Sequence, residues 1–210
     1  MKTVNDSKNE ILTTLAHIRR VIYRVRQHSG AHQSFTFPDA HKLSEGLLLS
    51  IWTHWEEFIQ ELLIIDLATD PNGFLRHDIR RFRTNGAPIR YSEKILNHPD
   101  SPDRWVEWNY SEVYSRANLF LNPGHRFPQQ LVRHDDLYKL KRIRNGIAHK
   151  SDKAWGSFLE LVRTPPFGLN NNQRKGLTVG RFIFSHHWNV PFVLEESINL
   201  IELWCNQLVP

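Results

Sequence analysis

The residues best suited to chemistry in this sequence stand six in a row, Arg144-Asn145-Gly146-Ile147-Ala148-His149. A guanidinium is a permanent planar cation that holds phosphate or carboxylate oxygens through paired N–H donors. An imidazole, with an ordinary pKa of roughly 6.5, takes up and releases a proton near neutrality. The asparagine adds a neutral donor and acceptor. Together they suit the holding of an anionic group and the movement of a proton beside it. The spacing alone decides nothing, because Arg26 with His32 and Arg181 with His186 stand at comparable separations. What sets Arg144 and His149 apart is their place at the end of an amphipathic helix predicted over 135–150, with Asn145 after the arginine and Ile147-Ala148 before the histidine.

At about 100° per residue, Arg144 falls within the apolar stripe of Leu137, Leu140, Ile147 and Ala148. Asn145 and His149 lie one turn apart along its rim. A guanidinium on an apolar face is costly unless paired, so a carboxylate, a phosphate or both are expected beside it. Two arrangements satisfy that demand: a ligand-holding arginine, or a structural Arg–Glu brace with a satisfied core histidine. Glu56 is the candidate brace, at the edge of the second helix's stripe one turn from Trp52 and Ile59, with Thr53, Glu57 and Gln60 toward the polar side. It is expected to orient Arg144; a partly solvated Glu56 is the alternative.

Four helices are predicted to position these groups. The first spans 6–28, with Ser7 and Glu10 as a capping box and Ile11, Leu15, Ile18, Ile22 and Val25 at helical spacing. The second spans 40–69, carries Leu48, Ile51, Trp52, Trp55, Ile59 and Leu62, and stops at Asp70-Pro71-Asn72-Gly73. The third is 135–150, with Leu137, Leu140, Ile143 and Ile147 on one face. The last starts at Pro191 and carries Leu194, Ile198, Ile201, Trp204 and Leu208. Between the second and third lies an irregular insert, 71–132, whose Trp105, Trp108, Tyr110 and Tyr114 either anchor it to the core or stack on bases. Residues 158–162 and 177–184 read as a short β-hairpin around a loop at 164–176, within a second insert at 156–189. The expected architecture is all-α: one domain over 1–210, a four-helix bundle with an irregular insert between helices two and three and a hairpin insert before the last helix.

Composition narrows the function classes. A hydrophobic content of 40% over 210 residues is enough to build a core. The single cysteine, Cys205, excludes an internal disulfide framework, and its place beside Trp204 on an apolar helix marks it as an inert core thiol. Residues 1–10 are polar with no apolar run behind them, so no secretory signal is expected. His54, Glu56, Glu57, Gln60 and Glu61 interrupt the apolar stretch at 47–68, so no membrane span is expected and a soluble, cytoplasmic protein is. The net charge of +5 suits a polyanionic partner, nucleic acid first, although it also serves solubility. Its clustering favours the partner. Arg76, His77, Arg80, Arg81, Arg83 and Arg90 share a segment with Asp78, and Lys139, Lys141, Arg142, Arg144, His149, Lys150 and Lys153 form a second group. No His-Glu-x-x-His helix, phosphate-cradling glycine loop or Gly-x-Ser-x-Gly elbow is present. Adjacent His186 and His187 point apart if they lie in a strand. Neither a metal nor a cofactor is expected.

The string 141–149, Lys-Arg-Ile-Arg-Asn-Gly-Ile-Ala-His, resembles the Arg-x4–6-His motif of the HEPN superfamily. The second helix, with Trp55-Glu56-Glu57-Phe58 at its centre, resembles that of the RiboL-PSP branch. The resemblance covers 6–69 and 135–209. It implies a metal-independent endoribonuclease, toxin-like or defence-associated, acting as a homodimer whose two motifs share one cleft. His149 would withdraw the ribose 2′-OH proton, the 2′-oxygen would attack phosphorus to give a 2′,3′-cyclic phosphate, and Arg144 would clamp the phosphate. Asn145 would hold a ring nitrogen or the phosphate, with Glu56 in support and Lys141, Arg142 and Lys150 along the RNA backbone. One histidine covers half of this acid–base work, so a second copy would supply the acid. An antitoxin or defence-system partner is implied as well. The alternatives are a non-catalytic HEPN module that binds RNA or a partner protein, and a helical adaptor in which Arg144 and Glu56 only brace the bundle. The chain departs from the family in two places. Ser151 stands where some family toxins carry a modifiable tyrosine, and the 71–132 insert is long.

Overall fold

Short polar residues set where the first two helices begin. Thr3 and Asp6 cap each other at the start of α1 (Val4–Gln27): the Thr3 amide and hydroxyl each donate to Asp6 Oδ2 at 2.8 Å, and the Asp6 amide donates to Thr3 Oγ1 at 3.1 Å. This pair replaces the expected Ser7/Glu10 box. Ser7 lies a turn inside the helix with its hydroxyl on Glu61 at 2.5 Å, and Glu10 pairs with Lys2. Thr36 and Asp39 repeat the device at α2 (Phe37–Thr69), which therefore starts before the expected residue 40 and tolerates Pro38 in its first turn. Asp70 ends α2 in a left-handed conformation, its carboxylate accepting the Leu75 amide at 2.8 Å.

The computed structural model describes residues 2–80, 108–149 and 151–210. After α2 come α3 (His77–Arg80), α4 (Tyr110–Phe120), α5 (His134–Ala148), α6 (Asp152–Arg163), α7 (Asn171–Arg174), α8 (Val179–Ser185) and α9 (Val193–Leu208). The described residues are all-helical apart from isolated β-bridges. Among them no helix is long and apolar enough to cross a membrane.

Two expectations need correction. The predicted hairpin is helical: 158–162 belongs to α6 and most of 177–184 to α8. Ser151 and Thr178 cap these helices, accepting the Ala154 amide at 3.3 Å and the Arg181 amide at 3.0 Å. A short apolar run does not reveal whether it is strand or helix, and here the caps and packing chose helix. The insert expected to be irregular contains α4, whose N-terminus Asn109 caps through the Glu112 amide at 3.1 Å.

The chain forms two compact units. The first comprises Met1–Ile11, His54–Leu131 and Cys205–Pro210. Its core includes Trp55, Phe58, Leu62, Val113 and Ala117. Tyr110 is buried there too, its ring 6.4 Å from Trp55 and its hydroxyl donating to the Pro128 carbonyl at 2.7 Å, which is the anchoring role and leaves no face for a base. Arg126 grips Asp66 through two hydrogen bonds of 2.7 and 3.1 Å. Burial raises the Asp66 carboxyl above its ordinary range, with the guanidinium pulling against it.

The second unit comprises Leu12–Thr53 and Val132–Trp204. Leu15, Ile18, Leu48, Ile51, Ile198 and Ile201 are buried in it, as their spacing predicts. Two glycines let its helices touch. Gly180 on α8 meets α2, where an added Cβ would lie 2.4 Å from the His41 carbonyl oxygen, and its amide donates to Glu45 Oε1 at 3.2 Å. Gly146 on α5 admits α6 and α8, since a Cβ there would be 3.3 Å from Phe158 Cβ and 3.2 Å from Val179 Cγ2. Phe158 is fully buried at this contact, worth about 2 kcal/mol of apolar burial.

Candidate functional site

Helix α5 positions the motif. At its start Arg133 adopts a left-handed conformation, donating to Asp136 Oδ2 at 2.7 Å and to Glu196 Oε1 at 2.6 Å, while Lys139 closes on Asp136 at 2.7 Å. Leu137, Leu140 and Ile143 then bury the helix against the unit's core. The stripe fades in the last turn, where Ile147 is half-buried and Ala148 exposed, so the expected apolar flank of Arg144 is open on its C-terminal side.

Asn145 is the hub of the motif. Its side-chain oxygen accepts from Arg144 Nη1 at 3.1 Å, and its main-chain carbonyl accepts the His149 amide at 2.9 Å. His149 is the residue at which α5 ends (φ −114, ψ 108), and its side chain is exposed. Arg144 and Asn145 are half-buried. The arrangement puts a guanidinium, an amide and an imidazole on the last turn and terminus of one helix, with the imidazole accessible to a ligand. The Asn145 oxygen faces Arg144, so the amide nitrogen is the end left to donate elsewhere.

The other predicted site residues lie as follows. Arg142 is tied to α6: Nε donates to Ser157 Oγ at 3.0 Å, and Nη2 donates to the Ser157 carbonyl at 2.5 Å and to Glu160 Oε2 at 2.9 Å. It braces the α5–α6 pair. Lys141 is half-buried on α5, and Lys150 lies outside the described residues. Glu56 is half-buried in the part of α2 that belongs to the first unit, whereas Arg144 belongs to the second. In the other basic segment, Arg76 donates to the carbonyls of Asn118 and Leu121 at 2.6 and 3.2 Å; Arg81, Arg83, Arg90 and Trp105 lie outside the described residues.

The two competing Arg/His pairs have other occupations. Arg26 stacks between the rings of Phe184 and Phe192, 4.5 and 3.9 Å from their centroids, and pairs with Glu195. Arg181 donates to the Lys175 carbonyl at 3.2 Å, and the His186 ring lies against Phe182. His186 closes a helix instead of lying in a strand, which removes the premise of the strand reading, and His187 stacks on Phe192. Burial, with repulsion from Arg181, holds His41 and His186 below the ordinary imidazole range; Glu45 opposes this at His41. Among the described residues no group of three His, Cys, Asp or Glu side chains is placed to hold a metal ion.

The sequence assigns no role to Trp155, an exposed aromatic on the first turn of α6. Its signal is there to read: Ser151 is a capping residue, and Trp155, Phe158, Leu161 and Val162 recur at helical spacing. No family model, curated protein or solved structure matches this chain.

Proposed function

We propose that the chain is a HEPN-like endoribonuclease that cuts RNA without a metal ion, leaving a 2′,3′-cyclic phosphate and a 5′-hydroxyl. The observation that carries the reading is the placing of the Arg144 guanidinium, in contact with the Asn145 side chain, and the exposed His149 on the last turn and terminus of one helix, α5. Arg144 binds the scissile phosphate and neutralises charge that builds on its oxygens. His149 takes the proton from the ribose 2′-hydroxyl, and that oxygen forms a bond to phosphorus as the bond to the 5′-oxygen breaks. The leaving oxygen needs a proton, which the partner's His149 supplies in a homodimer. The Asn145 side chain keeps the guanidinium at the His149 end of the helix and donates its remaining N–H groups to phosphate. The net charge of +5 favours the polyanionic substrate.

The test is incubation of total RNA and a tRNA pool with the purified protein in EDTA, alongside His149→Ala. Cleavage by the wild type alone, with cyclic phosphate ends, is the expected result. Absence of cleavage by a folded, RNA-binding wild type would replace the nuclease with a non-catalytic RNA-binding module.

A further inference from the structure

We propose that Trp155 is the platform on which the nucleobase next to the scissile phosphate stacks, so that the substrate class of this site is unpaired RNA. The inference rests on the ribonuclease reading and adds to it what the enzyme selects.

Trp155 is 39% exposed, while Phe158, one turn further along the same face of α6, is fully buried. The two rings lie 5.3 Å apart at 34°, so the indole is steadied from one side and open on another. Next to it Gly156 carries no side chain, and a Cβ there would meet nothing within 4 Å, which leaves the approach clear. The indole is also held close to the motif. Phe158 sits against Gly146, the residue after Asn145. Along the chain, His149 ends α5 and Ser151 caps α6. Even at full stretch, the two chain steps from His149 to Ser151 and the helical turn that follows keep the Trp155 Cα within about 13 Å of the His149 Cα. With both side chains reaching toward a common ligand, one nucleotide can place its phosphate at Arg144 and His149 and its base on the indole. Charge agrees with this occupant: Arg144, Lys150 and Lys153 precede the indole along the chain, with Asp152 as the acid among them.

A base in a duplex has neighbours on both faces and no face to offer, whereas an unpaired base has one free. Every base has a π-face, so selection by stacking favours single strands over sequence.

The probe is a 2′-O-methyl RNA strand carrying one 2-aminopurine, whose fluorescence falls on stacking and whose blocked 2′-oxygens prevent cleavage. Binding is measured for wild type, Trp155→Ala and Trp155→Phe, with the strand alone and annealed to its complement. The expected result is about tenfold weaker binding and loss of quenching in Trp155→Ala, near-complete retention in Trp155→Phe, and weak binding of the duplex with no further change in its fluorescence. Unchanged binding and quenching by folded Trp155→Ala, or equal affinity for the duplex, overturns the proposal. If Trp155→Ala fails to fold, loss of quenching in Trp155→Phe overturns it. Trp155-dependent quenching by a wild type that cleaves nothing supports the platform and overturns the nuclease; cleavage with quenching indifferent to Trp155 does the reverse. A wild type that binds neither strand overturns both.

Discussion

The N-terminal end of α5 is enclosed by charge, with Arg133 and Lys139 closing on Asp136 and Arg133 reaching Glu196; both carboxylate residues are buried. The C-terminal end carries charge as well; there Arg144 donates to the Asn145 side-chain oxygen, and His149 is exposed. Buried carboxylates hold the cations at the first end, so those groups serve stability. At the second end the imidazole contributes little burial. Its removal should be cheap for the fold, whereas the proposed nuclease would lose its base. Charge closed on buried carboxylates is scaffold at the first end, and the exposed imidazole at the second is the group on which the proposed chemistry rests.

The largest expected effect tests that contrast directly. His149→Ala should lower RNA cleavage by about 10²–10⁴-fold, the usual contribution of a positioned acid–base group, while the thermal midpoint stays put. A variant that unfolds as it loses activity would make His149 scaffold. Next is Gly146→Val, whose side chain would press on Phe158 and Val179 and so links packing to chemistry. Overpacking should cost about 3 kcal/mol in urea unfolding and lower cleavage by the molecules that still fold. Arg133→Ala should cost about 2 kcal/mol, because it opens a partly buried network, yet leave cleavage per folded molecule unchanged. A nuclease defect there would join the two ends into one functional unit.

A smaller effect separates two neighbouring cations. RNA affinity measured against salt should lose about 0.7 from its logarithmic slope in Lys141→Ala and nothing in Arg142→Ala, whose guanidinium is committed to Ser157 and Glu160. Equal loss in both would return Arg142 to the RNA. The smallest effect is on stability against pH. Burial, with Arg181, holds His41 and His186 below the ordinary imidazole value. The unfolded chain therefore binds protons first as pH falls. Stability should be level above roughly pH 6.5 and decline below it. Urea midpoints from about pH 7.5 to about pH 5.5 check this, and a midpoint that rises over that interval would contradict the assigned shifts.

The apolar stripes of α1, α2 and α9 were legible because a repeat near 3.6 residues is a local property of the chain. Every stripe residue predicted for α1 is buried, as is every one predicted for α9. Arg144, Asn145 and His149 were legible as candidates for a similar reason: residue types and a helix terminus are written in neighbouring positions. Less local features misled. Phe158–Val162 reads equally as strand or helix until Gly146 supplies the groove that seats Phe158. Ser7 and Glu10 looked like a cap until Thr3 and Asp6 took that role four residues earlier.

The sequence determined, on its own, the helical class, the buried faces and the side chains able to do chemistry, since each follows from composition and short-range periodicity. Only the tertiary structure decided that Arg142 and Arg26 are held by other elements. Lys141, Arg142 and Arg144 are near neighbours in one string, but Arg142 is claimed by Ser157 and Glu160 of the next helix. Likewise Arg26 is claimed by the Phe184 and Phe192 rings. Such claims depend on groups brought together by packing across 15 positions of chain for Arg142 with Ser157 and 169 for Arg26 with Glu195, its ion-pair partner. No local pattern encodes them.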